Sequence, residues 1–212
     1  MRMNLKALSI IVALLTGVAA SRADITGNTL ADDGDGVITC TTYGFLTLSP
    51  GEFQLSVDGI QHYSLDPSWP TGHILGDITT DTETDPSLTL AYEVDNDTGT
   101  AWNDYQVQIT LNKSFTLSNV SVDNSGWTSV VTAPIQVGSS WIAYIDYKAG
   151  IPVPYDPDPL LTGTLDFGYK LSFTGSVTFV EALTPTFVPE PGTWALMACG
   201  LIGAFFMRRR SA

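Results

Sequence analysis

Apolar and polar residues alternate with a period of two through the middle of the chain. Leu88, Leu90, Tyr92 and Val94 alternate with Thr89, Ala91, Glu93 and Asp95. Tyr105, Val107, Ile109 and Leu111 alternate with Gln106, Gln108, Thr110 and Asn112. Leu165, Phe167, Tyr169, Leu171 and Phe173 alternate with Asp166, Gly168, Lys170 and Ser172, and Val177 and Phe179 continue on the same parity. Period two sends one set of side chains to a core and the other to water, which predicts strands. Thr, Val, Tyr and Phe are abundant in these runs, as pleated half-buried surfaces favour. No stretch of this region carries the apolar stripe of a helix.

Turn signals separate the runs. Asp58-Gly59, between "FQLSV" and "IQHYSL", predicts a hairpin. Asn96 to Gly99 predicts the closure of another pair, and Asn124 to Gly126 separates "FTLSNVSV" from "WTSVV". The Pro-rich stretches "SLDPSWPTGH" and "GIPVPYDPDP" belong in loops or at sheet edges, because proline donates no ladder hydrogen bond. No internal repeat points to a propeller or a β-helix. The expectation is one all-β domain over residues 24–187, an antiparallel β-sandwich of jelly-roll or immunoglobulin-like type.

The two ends differ from this body. The head, "MRMNLKALSIIVALLTGVAASRA", has Arg2 and Lys6, then an apolar stretch from Ala7 to Ala20, then small residues before Asp24. That order is the signal-peptide pattern and predicts an N-terminal signal helix over 1–23, cut between Ala23 and Asp24 by a signal peptidase. Val18 and Ala20 offer an alternative cut after Ala20. At the tail, Gly192 to Met207 contains no charged residue, and Arg208, Arg209 and Arg210 follow it. Sixteen helical residues reach roughly 24 Å against a hydrocarbon core of roughly 30 Å, so residues 192–207 predict a short transmembrane helix. The arginines stay with the cytoplasmic phosphates and orient the body outward. Pro189 and Pro191 exclude a regular helix just upstream and leave an extended tetrapeptide at the membrane surface.

Charge sharpens the division. The chain has nine basic and 22 acidic residues. All the acidic residues lie between Asp24 and Glu190, where only Lys113, Lys148 and Lys170 oppose them, a net of −19. A body of that charge repels nucleic acid and anionic membranes.

Val188-Pro189-Glu190-Pro191, the apolar run and the terminal arginines together resemble the PEP-CTERM sorting signal over residues 188–212. In that family the tail is recognised by an exosortase, an integral-membrane cysteine protease of Gram-negative bacteria that make extracellular polysaccharide. The resemblance implies export across the inner membrane, transient anchoring, cleavage near Pro-Glu-Pro, and transfer to the cell surface or extracellular matrix. The segment "YEVDNDTGTAWNDYQVQI" also resembles one common in exported PEP-CTERM proteins. Its residues are accounted for structurally: Asn96 and Asp97 favour the turn, Gly99 permits positive φ, and Trp102 caps the core.

Candidate chemistry in the body is sparse. His62 and His73 are the only histidines, and no Gly-x-Ser-x-Gly elbow occurs. Cys40 stands alone in the body because Cys199 lies in the tail, so no intramolecular disulfide is expected there. His62 and Asp66, like His73 and Asp77, have helical ligand spacing, but the surrounding prolines and glycines argue against a helix and hence against a metal site. "ADDGDGVITC" places Asp33 and Asp35 at the third and fifth positions of a calcium loop, but Ala31 and Thr42 occupy the first and twelfth, where carboxylates belong. The clusters at Asp81 to Asp85, Asp95 to Asp97 and Asp156 to Asp158 are expected to hold calcium weakly at most. No cofactor, no metal and no catalytic residue are expected. The expected role is a noncatalytic surface or matrix protein associated with polysaccharide. The alternative is a carbohydrate-binding module or glycan-active enzyme, with Trp69, Trp102, Trp127, Trp141 and Tyr155 as stacking candidates.

Overall fold

A computed structural model of the chain describes residues 22–62, 71–155 and 163–187. These residues form twelve strands: β1 (Ile25–Asn28), β2 (Ala31–Asp32), β3 (Ile38–Ser49), β4 (Glu52–His62), β5 (Gly72–Thr80), β6 (Ser87–Asp97), β7 (Trp102–Leu111), β8 (Phe115–Val122), β9 (Thr128–Val137), β10 (Ser140–Val153), β11 (Thr164–Phe173) and β12 (Val177–Phe187). One sheet has seven strands in the order β1-β5-β12-β7-β10-β9, with β2 also paired to β5. The other has five, in the order β3-β4-β6-β11-β8. The predicted signal helix and transmembrane helix lie outside the described residues. Among the described residues no helix is long and apolar enough to cross a membrane.

The alternating residues do what their parity requires. Leu88, Leu90, Tyr92 and Val94 of β6 and Leu165, Phe167, Tyr169, Leu171 and Phe173 of β11 are buried. So are Tyr105, Val107, Ile109 and Leu111 of β7 on the other sheet. The two inner faces meet directly: the rings of Tyr105 and Tyr147 on the larger sheet lie 5.6 and 5.0 Å from Phe167 on the smaller. Phe167 also stacks on Tyr92 at 4.7 Å, the offset contact that aromatic quadrupoles favour.

Three expectations need correction. The pairing is antiparallel except for β4 and β6, which run parallel in register from Glu52↔Ser87 to His62↔Asp97. The chain leaves the smaller sheet after β4, runs through β5 of the larger, and returns as β6. Hydrophobic alternation is identical for either strand direction, so period two is blind to this crossover. Asp58-Gly59 is not a hairpin turn but lies inside β4. Gly59 continues the inward series Phe53, Leu55, Val57, and a Cβ there would touch the Ile38 side chain at 3.5 Å. The hairpin that joins β3 to β4 turns instead at Pro50-Gly51, with Gly51 at φ 72°, a conformation glycine adopts without steric cost. The third correction concerns Asn96 to Gly99. Gly99 has φ 82° as a turn there demands, but the turn carries the chain from β6 of one sheet to β7 of the other rather than closing a hairpin.

That turn is built on a buried side chain. Asn96 Nδ2 faces the carbonyls of Thr100, Val153 and Pro154 at 2.9, 3.2 and 3.1 Å. Its Oδ1 accepts from the Thr98 amide at 3.1 Å and the Thr98 hydroxyl at 2.6 Å. The indole of fully buried Trp102 donates to that same hydroxyl oxygen at 3.0 Å. Asn96 thus ties the inter-sheet turn to the end of β10 and seats the Trp102 cap. Replacing it by alanine strands several buried polar groups, each costing about 1–3 kcal/mol. We predict that Asn96→Ala lowers unfolding free energy by roughly 3 kcal/mol. Urea denaturation measures this, and a loss below about 1 kcal/mol would show the turn to be held by other contacts.

Candidate functional site

With its inner face in the core, the smaller sheet leaves its outer face to solvent. Across that face runs a row of small side chains set by register: Gly44 pairs with Ser56, Ser56 with Ala91, Ala91 with Gly168, and Gly168 with Ser121. Gly168 has no room for a side chain, since a Cβ there would come 2.9 Å from the Leu90 carbonyl oxygen. Part of this row forms the floor of an open groove of about 360 Å³, lined also by Thr89 and Asn119. Asn119 sits at φ 50°, where β11 and β8 change register between Gly168 and Lys170.

A row of carboxylates borders the groove. Asp58 pairs with Glu93, and Glu93 with Asp166; Asp123 joins them through its backbone bond to Asp166. All four line the groove. Like charges directly opposite on neighbouring strands repel. Burial, then Asp166, Asp58 and Asp95, hold the Glu93 carboxyl above the usual range. Burial, then Asp123 and Asp95, do the same for Asp166. The groove therefore presents hydroxyls, an amide and carboxylates of raised proton affinity, and it attracts cations or hydrogen-bond donors.

The interior holds a second polar cluster. Glu181 on β12 is fully buried between the sheets. The Tyr169 hydroxyl donates to its Oε1 at 2.6 Å, and the Tyr92 hydroxyl donates to Oε2. Burial pushes the Glu181 carboxyl up to about 7, while the bonds from Tyr169 and Tyr92 pull it down. Burial, with Glu181 alongside, holds both phenols well above their usual range. The tyrosines thus remain donors at neutral pH. Among the described residues Glu181 has no exposed surface, and both of its oxygens are taken by phenols, so its role is architectural. Its parity announces it: Glu181 falls in the inward series of Val177, Phe179 and Leu183.

The sequence-derived candidates scatter. Trp102 and Trp127 are buried, and Trp141 packs against the core; Trp69 lies outside the described residues. Tyr155 is the exposed one among the described candidates, which form no stacking platform together. Burial pushes the Cys40 thiol up to about 11, which makes it a poor nucleophile. His62 Nδ1 meets Asp97 at 3.0 Å and His73 Nδ1 meets Asp33 at 3.1 Å. Among the described residues no serine or cysteine bonds either imidazole. His73 and Asp77 lie along one strand, and Asp77 accepts instead from Thr178 at 2.9 Å. The acidic loop at Asp81 to Asp85 is dispersed: Asp81 accepts from the Asp24 amide, Glu83 pairs with Lys113, and Asp85 accepts from Thr174. Asp156 to Asp158 lie outside the described residues, as do Asp66, Val188 to Pro191 and Arg208 to Arg210. Ala23 is buried, and the Asp24 amide donates to Asp81 at 2.8 Å.

The buried carboxyl makes stability depend on pH. Folding raises the Glu181 value from 4.5 to about 7, so the folded state holds a proton that the unfolded state releases. Its contribution is fully present below pH 4.5 and is lost as pH rises to about 7. Relative to Glu181→Gln, which does not titrate, the wild type should lose on the order of 3 kcal/mol between pH 5 and 8. Denaturant unfolding of both proteins across that range measures the difference; parallel profiles would contradict the assignment.

Residues 187–210 match the family described as the PEP-CTERM protein-sorting motif. No curated protein and no solved structure matches the chain. The match begins at Phe187, the last residue of β12 and of the described residues. The chain therefore carries, directly after an all-β two-sheet body, a PEP-CTERM sorting motif of the kind that implies export and processing by an exosortase.

Proposed function

We propose that this protein is an exosortase substrate whose body is a noncatalytic, sandwich-like surface or matrix component that associates with extracellular polysaccharide. The observation that carries the reading is the sorting motif at residues 187–210. Residues 1–23 direct export and are removed. Residues 192–207 hold the chain in the inner membrane until the exosortase acts near Pro189-Glu190-Pro191. The body then passes to the surface or matrix of a Gram-negative cell. A cut between Ala23 and Asp24 is supported by the Asp24–Asp81 contact: the new α-ammonium gains a charged partner, and such bonds are the stronger ones.

The polysaccharide role rests on the groove of the smaller sheet. Ser56, Thr89, Ser121 and Asn119 offer hydroxyl and amide partners for sugar hydroxyls, and Asp58, Glu93, Asp123 and Asp166 offer acceptors. The sealed Glu181, the high Cys40 value and the histidine pairs without a nucleophile support a noncatalytic body. One observation favours a glycan-active enzyme as the second reading. Glu93 and Asp166 are cross-strand partners with raised proton affinity, the asset a carboxylic general acid needs.

Two experiments separate these readings. Intact-mass and N-terminal sequencing of the surface-exposed protein should show a start at Asp24 and no Arg208–Arg210 peptide. Replacing Pro189-Glu190-Pro191 with alanines should leave the chain in the membrane. An unprocessed wild-type tail would overturn the sorting reading, and a start at Ser21 would move the signal-peptidase cut to Ala20. Separately, the body should co-sediment with the producer's own polysaccharide, and Glu93→Gln/Asp166→Asn should reduce binding at least tenfold. Release of reducing ends that Glu93→Gln abolishes would establish the enzyme instead.

A further inference from the structure

The turn after β2 and the start of β5 bring together three metal-ligating side chains that are far apart in sequence. Asp33 and Asp35 stand in the turn, and His73 stands on β5, with one donor atom of each within 4.8 Å of the others. The convergence is enforced by backbone. Asp32 of β2 pairs with Ile74, and the Asp33 amide donates to the His73 carbonyl at 3.2 Å. Each carboxylate also accepts from a backbone amide of the turn: Asp33 Oδ1 from Asp35 at 3.2 Å, and Asp35 Oδ1 from Val37 at 2.8 Å. Asp33 Oδ2 lies 3.1 Å from His73 Nδ1. Two ligands on a tetrahedral zinc ion, each 2.0–2.1 Å from it, are about 3.3 Å apart. The Asp33–His73 pair already has that separation, and Asp35 must close by a side-chain rotation.

We infer that Asp33, Asp35 and His73 form a binding site for a borderline divalent transition metal, with Zn²⁺ as its representative. The convergence of an imidazole with two carboxylates separates this site from the acidic loops elsewhere among the described residues, where His62 meets Asp97 alone. It comes from a different strand, and nitrogen donors suit zinc and its neighbours, whereas Ca²⁺ and Mg²⁺ take oxygen ligands. The same turn fails as a calcium loop, since Ala31 and Thr42 occupy two of the ligand positions. The site is open: His73 and Asp33 are 38% and 21% exposed, so an ion can enter and water can complete its coordination. The strongly negative body raises the local cation concentration further. The spacing of His73 and Asp77 along the chain carried no site, and the proposed ligands to His73 come instead from the turn after β2.

The test is isothermal titration of the full-length chain, purified in detergent without a histidine tag, with ZnCl₂, CaCl₂ and MgCl₂. One zinc ion should bind per chain, at least tenfold more tightly than calcium or magnesium. His73→Gln and Asp35→Asn should each weaken zinc binding at least tenfold while leaving the metal-free melting temperature unchanged, because both side chains sit at the surface. His62→Gln and Cys40→Ser should leave zinc binding unaltered, which excludes the other imidazole and the thiol. Cobalt should give a visible absorption band that His73→Gln removes. Zinc binding that survives both His73→Gln and Asp35→Asn would overturn the site, as would equal affinity for zinc and calcium. If His73→Gln lowers the metal-free melting temperature, Asp35→Asn alone decides.

Discussion

A carboxyl group with no access to water has to be satisfied by its neighbours, and in this protein that requirement couples the two sheets. Glu181 projects from β12 of the larger sheet, and its two oxygens take the hydroxyls of Tyr92 and Tyr169 from the smaller. Apolar contacts between facing sheets are non-directional and tolerate sliding. Hydrogen bonds are not so tolerant. Tyr92 lies on β6 and Tyr169 on β11, while Phe167 pairs with Tyr92 and Leu90 with Tyr169. Both phenols reach Glu181 only in this register. A slip of one residue would turn them outward and strand the carboxyl.

The same geometry explains why the useful chemistry is on the outside. Once Tyr92, Phe167 and Tyr169 fill the inner face, the intervening residues Ala91, Glu93, Asp166 and Gly168 fall on the outer face as a matter of strand pleat, with the Glu93 and Asp166 side chains exposed. Their registers then align small residues into a floor and carboxylates into a border. The resulting repulsion is tolerated because these side chains remain solvated at one end. It also leaves Glu93 and Asp166 with raised proton affinity, which a ligand offering hydrogen bonds or positive charge would relieve.

Body and tail have separate logics. The sorting motif begins at the end of β12, so processing need not disturb the sheets. The charge division agrees: acidic residues fill the body, and arginines mark the far side of the apolar run. Trp102, which could have been read as a sugar platform, caps the core and bonds to the Asn96 turn.

The sequence by itself determined the alternating strands β6, β7 and β11 with their inward and outward faces, and the tail. Period-two alternation is a local property, and the inward series Leu88 to Val94, Tyr105 to Leu111 and Leu165 to Phe173 follow from it. The sorting tail is local too: its proline pair, apolar run and arginines are consecutive. Glu181 could also have been found by extending the inward parity of Val177 and Phe179. Strand direction and register were decided by tertiary structure alone. The β4–β6 pair is parallel because the chain crosses to the other sheet between them, and alternation has no direction. Asp58-Gly59 stays in a strand because β3 and β6 pair with it on both sides, Gly59 against Cys40 and Val94, residues 19 and 35 positions away. The groove and the Asp33–Asp35–His73 cluster have the same origin. Each gathers residues from separate elements, strands in the groove and a turn with β5 in the cluster, and their proximity exists only once backbone pairing fixes which residue stands beside which.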